Sequence, residues 1–182
     1  MKNIIFSGIL LFLLASCNTS NSEVKNNQLA FFDLKNYIHQ EIVQKKSVKI
    51  FNKKIDLNNT KEEKRIENLS LEKELAVFIQ SDINKTAWYD KYEIDSLFDT
   101  KGNLYHLQYL AKDESLRTRS ISLSFKTNQI DTIKIHNQSS SSIADSEQFL
   151  TYIASYGYSI LSRQKINLLS EHNLAVDVEF VY

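Results

Sequence analysis

The chain has 182 residues, with 22 lysines and arginines against 22 aspartates and glutamates. That balance, with the basic pairs Lys45-Lys46 and Lys53-Lys54 small and scattered, excludes a nucleic-acid binder that works by neutralising phosphates. Cys17 is the only cysteine, which excludes an internal disulfide, and the length suits one compact domain that buries its own core.

The chain opens with Lys2, an apolar run from Ile4 to Leu14, and the small residues Ala15-Ser16, the three zones of a secretory signal. At about 11 residues the run is too short to span a bilayer. The segment Leu14-Ala15-Ser16-Cys17 resembles the lipobox of bacterial lipoprotein precursors. That resemblance implies that residues 1–16 are a signal peptide cut between Ser16 and Cys17, with a diacylglycerol thioether on Cys17 and acylation of the new amino group. Two or more acyl chains make such attachment stable, so the partner implied is a membrane. Residues 17–27 read as a polar tether. Asn18, not an aspartate, follows Cys17, which by resemblance to lipoprotein sorting implies the outer membrane, on its periplasmic face.

Residues 28–182 read as a single domain. From Gln28 to Lys46, Phe31, Leu34, Ile38 and Ile42 recur at helical spacing, which predicts a first helix. Val48 and Ile50, then Ile55 and Leu57, alternate on either side of Asn52-Lys53 and predict a small hairpin turning there. The charged run Lys61 to Arg65 reads as a solvated loop. Ser70 is placed as the N-cap of a second helix, with Leu71, Leu75, Phe78 and Ile79 on one stripe, ending near Asp82.

From Tyr92 the hydrophobic period changes to two, in runs near 92–99, 103–111, 116–126, 129–137, 148–155, 157–168 and 174–182. Tyr105, Leu107 and Tyr109, then Ile121, Leu123 and Phe125, then Ile133 and Ile135, then Val176, Val178 and Phe180 mark a buried face. Opposite one of these runs stand Thr118, Ser120, Ser122 and Ser124, as in an antiparallel sheet that is wet on one side. The fold expected is α+β: two helices packed on one face of a twisted antiparallel sheet of about seven strands, plus a small N-terminal hairpin. A three-residue loop, Glu171-His172-Asn173, is expected to close the last hairpin and set Lys165 opposite Glu179.

Little in the sequence carries catalytic chemistry. His39, His106, His136 and His172 fall in different elements, and none has a partner at zinc-ligand spacing, so no metal or cofactor is expected. No nucleophile elbow, phosphate-binding glycine loop or dinucleotide fingerprint is present, and the domain reads as non-enzymatic. Asp177 and Glu179 share a strand face, which reads as a charged outer surface. The most unusual stretch is Ser81 to Tyr92, which holds the only tryptophan. Asp82, Lys85, Trp88 and Tyr89 there form a candidate binding surface, weighed against a packing joint with Trp88 mostly buried as its pin.

The lipobox, FFDLKNYI at 31–38, DINK-x-x-W at 82–88 and GYSI-x-x-x-Q at 157–164 resemble small uncharacterised lipoproteins of Bacteroidetes type. Thr86 stands where that pattern suggests a proline. The resemblance brings no established activity. The expected function is therefore a membrane-anchored binding or assembly module, its partner an envelope protein or a hydrophobic ligand. The alternative is a carrier of acyl chains in a cavity between sheet and helices, similar to lipoprotein-localisation factors.

Overall fold

The computed structural model describes residues 29–167 and 171–182. The signal, Cys17 and the tether lie outside the described residues. Within them, nine strands form one antiparallel sheet: β1 Ile50–Leu57, β2 Thr60–Glu67, β3 Tyr92–Phe98, β4 Leu104–Ala111, β5 Thr118–Lys126, β6 Gln129–Ser140, β7 Ala144–Ile153, β8 Gly157–Ile166 and β9 His172–Val181. Their spatial order is β2-β1-β9-β8-β7-β6-β5-β4-β3. The helices are short: α1 Leu34–Gln44, α2 Leu71–Glu74 and α3 Ala76–Ile79.

This corrects the expectation of an α+β domain with two helices on seven strands and a separate hairpin. The runs from Tyr92 onward do form strands, but β1 and β2 belong to the same sheet. β1 pairs along its whole length with β9, from Ile50 opposite Val181 to Leu57 opposite Leu174. The hairpin turns at Asn58-Asn59, where both residues have positive φ, 51° and 69°, and not at Asn52-Lys53. Asn tolerates that backbone, and the turn it makes matches the twist of the strands it joins. The charged run 61–65 therefore lies in β2, an edge strand. One flank of β2 is open, and charged side chains there discourage pairing with other chains.

The helical segment after Ser70 is also less regular than expected. It breaks at Leu75 into two four-residue pieces, and the Ser70 hydroxyl makes no capping bond to the backbone. Leu71, Leu75 and Phe78 nonetheless turn inward and are buried. α1 starts later than its apolar spacing suggests, because Asp33 caps it by accepting a hydrogen bond from the Asn36 amide at 3.0 Å.

All three helices lie on one face of the sheet. Leu34 and Ile38 of α1, Phe78 of α3, Leu123, Ile133, Tyr152 and Val178 are each fully enclosed there. Phe31 sits edge-on to Tyr92 and Tyr109 at 5.6 and 5.5 Å between ring centres, a geometry that adds to the burial energy of the rings. A bulge at Arg119 turns Thr118 inward, and its hydroxyl donates to the Ser81 carbonyl at 3.2 Å. Asn137 donates to the Ser81 hydroxyl at 2.8 Å, which ties the end of the helical segment to β5 and β6.

The last hairpin also departs from its expected register. Arg163 faces Asn173 and Gln164 faces His172, so Glu179 lies opposite Gly157, and Lys165 pairs with Asp145 of β7. A three-residue loop would have left the residues from Gly157 to Leu161 without partners, because β9 ends before it reaches them. The longer connection pairs β8 with β9 from Gly157 to Gln164. The shift is even-numbered, so Val178 and Phe180 keep their inward direction.

Candidate functional site

The sheet is wider than the helices that cover it. Lys53 of β1 meets Glu74 of α2 at 2.7 and 2.8 Å, and Tyr158 of β8 donates to the same carboxylate at 2.7 Å. One step further along the strands no helix follows. There Ile55 stands opposite Glu62 of β2 and Val176 of β9, and Val176 opposite Ile160 of β8, forming one row across four strands. An open groove of about 580 Å³ runs along this row, with a chiefly apolar wall. Its size and wall chemistry are those of a site for a small apolar ligand or an extended side-chain row. No signal in the sequence marks it, because one wall belongs to β2, whose charged residues conceal a strand.

The candidate surface Asp82, Lys85, Trp88 and Tyr89 divides into two parts. Asp82 points into the fold: its carboxylate accepts from the amides of Lys35 at 3.1 Å and Asn84 at 2.8 Å. Asn84 completes this clamp, accepting from the Phe31 amide at 3.1 Å and donating to the Phe32 carbonyl at 2.9 Å. Together these bonds fix the entry to α1. Lys85, Trp88 and Tyr89 form an outer corner. Trp88 is half-buried, not enclosed as expected, because it lies beside Tyr92 at the margin of the sheet with the Lys85 ammonium 3.8 Å from its ring centre. Tyr89 is exposed.

The other polar groups are mostly engaged in holding the fold. Glu41 of α1 is buried, and Tyr152 donates to it at 2.7 Å. Burial, then this bond to a carboxylate, pushes the Tyr152 phenol far above its usual range, and Tyr158 is raised in the same way beside Glu74. Burial pushes Tyr92 up to about 12. Asp177 accepts from the Tyr156 hydroxyl at 3.3 Å and Glu179 from the Asn52 side chain at 3.3 Å, so each carboxylate is engaged by its own neighbour.

His106 approaches the Ser122 hydroxyl at 3.4 Å on the sheet's open face. Among the described residues no carboxylate bonds its other ring nitrogen, so the base has no orienting group of the kind a nucleophilic serine needs. His136 stacks on Phe149 at 4.6 Å and meets Glu147 at 3.0 Å. Among the described residues no cluster of three or more metal-ligating side chains forms, and no helix is long and apolar enough to cross a membrane. No protein-family model, curated protein or solved structure matches the chain.

Proposed function

We propose that this protein is a lipoprotein of the outer membrane, held by lipid on Cys17 on the periplasmic face, whose domain is a non-enzymatic module binding an apolar ligand. The anchor rests on the signal-like run and the Leu14-Ala15-Ser16-Cys17 segment. The binding role rests on one observation, the open apolar groove along Ile55, Val176 and Ile160. A carrier reading with its cavity between sheet and helices finds less support, since Ile121, Leu123 and Ile133 are fully enclosed there. The groove is the space that admits such a ligand.

Two measurements test this. Replacing the anchoring sulfur in Cys17→Ser should move the protein from the detergent phase to the aqueous phase on partitioning, because the acyl chains supply the attachment. Equal partitioning of variant and parent would defeat the anchor. For the groove, a fluorescent fatty acid should bind the native protein, and Ile55→Asn should weaken that binding by about tenfold through loss of apolar contact worth ~1.4 kcal/mol. A variant that melts like the parent and binds the probe equally well would show that the groove is not the seat.

A further inference from the structure

The outer corner beside Trp88 lies where the chain enters the domain. Leu29, the first described residue, is 43 % exposed, and two residues on Phe31 packs edge-on to Tyr89 at 6.4 Å. Tyr89 is itself 46 % exposed. Lys85 lays its ammonium over the Trp88 ring, so that one side chain offers an aliphatic stem and a cation at the same place. An aromatic pair with polar edges, an exposed leucine and a lysine at its margin is the composition that membrane–water boundaries select, apolar on one side and wet on the other.

Cys17 and Leu29 are 29 − 17 = 12 residues apart. At 3.3–3.6 Å per residue that chain reaches about 40 Å at most, comparable to the width of nine strands at ~4.8 Å. A lipid on Cys17 therefore keeps the Leu29 end within reach of the bilayer at all times, at high local concentration. We infer that the corner formed by Leu29, Lys85, Trp88 and Tyr89 beds on the surface of the bilayer that carries the anchor, which gives the domain a fixed orientation on it.

This rests on the lipoprotein reading and goes beyond it, since a tether alone leaves every orientation open. The groove is walled by β2, β1, β9 and β8, while the corner adjoins β3 and β4 at the other side of the sheet. Bedding at the corner thus turns the groove away from the lipid. Charge contributes little beyond the single Lys85 ammonium. Asp90 and Lys91 lie 3.8 Å apart beside the corner and offset each other, and Asp82 is occupied by backbone amides. The contact is therefore expected to persist in high salt, unlike attraction to anionic lipid through a basic patch.

The single tryptophan is the probe. The full lipidated protein is placed in vesicles of phosphatidylethanolamine and phosphatidylglycerol and floated. Its Trp88 emission is then read with acrylamide in the water and with a lipid brominated near the glycerol end of its chains. Acrylamide quenching is expected to fall by about half relative to the unlipidated domain, and the brominated lipid to quench, in low and high salt alike. The double variant Lys85→Glu, Tyr89→Ser should still float and melt as the parent does, but lose most of the bromine quenching. A protein that fails to float removes the anchor and this orientation with it. A protein that floats with Trp88 as open to acrylamide as in the free domain leaves the anchor standing and overturns the corner, as does a double variant quenched like the parent.

Discussion

Gly157→Ala should cost the domain about 3 kcal/mol or more and lower its melting temperature by roughly 10 °C. Gly157 opens β8 with φ at +153°, and a Cβ built there would collide with the carbonyl oxygen of Val178 in β9. Val178 is fully enclosed and its strand runs between β8 and β1, so it has no free direction in which to retreat. Backbone strain of ~1–3 kcal/mol and overpacking of ~1–3 kcal/mol then add, against a total stability of about 5–15 kcal/mol for a domain of this kind. Gly102 provides the internal comparison. It too has a positive φ, +82°, but nothing lies within reach of an added Cβ, so Gly102→Ala should cost no more than ~1–2 kcal/mol. Thermal melts of the two variants decide the matter: equal losses would mean that the close approach of Val178 adds nothing to the cost.

Raising the pH above 10 should unfold the domain steeply. Tyr92, Tyr109, Tyr152 and Tyr158 are buried, and burial raises all four phenols, reinforced for Tyr152 and Tyr158 by hydrogen bonds to Glu41 and Glu74. In the unfolded chain tyrosines ionise near 10. A group whose folded value lies above its unfolded one contributes its full stability below the unfolded value and loses it as the pH rises towards the folded one. The loss thus begins near pH 10 and runs to about 12 for Tyr92 and beyond that for Tyr152 and Tyr158. Each phenol held neutral costs a little over 1 kcal/mol per pH unit in that window, so Tyr92, Tyr152 and Tyr158 together cost about 4 kcal/mol per unit. Absorbance at 295 nm and far-UV circular dichroism, followed together, check this. The tyrosinate signal of the buried set is expected only where the sheet signal is lost. Complete ionisation of all tyrosines with the sheet intact would contradict it.

What the sequence revealed follows the line between local and distant causes. Tyr105-Leu107-Tyr109 and Ile121-Leu123-Phe125 declare strands because alternation is written within a few residues. β2 is silent for the same reason: only Ile66 breaks its run of exposed side chains, and its place in the sheet comes from backbone pairing with β1, which demands no apolar pattern. The Glu41 carboxylate looks like an ordinary solvent-facing helix residue until Tyr152, 111 residues away, turns out to meet it. The groove shares this difficulty twice over, needing both β2 and the long-range pairing of β1 with β9 before it exists. The Asp82 to Tyr89 stretch was conspicuous from its composition alone, but the division of labour between an inward clamp and an outward corner depends on where Phe31 and Lys35 come to lie.

The seam between β1 and β9 joins residues near the start of the domain to its last strand. Until His172–Val181 has been made, β1 and β2 form an isolated hairpin, and a two-stranded ribbon has little stability of its own in water. The sheet therefore cannot close before β9 has been made, and its one pairing between strands far apart in the chain, β1 with β9, carries the largest loop-closure cost. The domain thus becomes one continuous sheet only when β9 has paired on both of its sides.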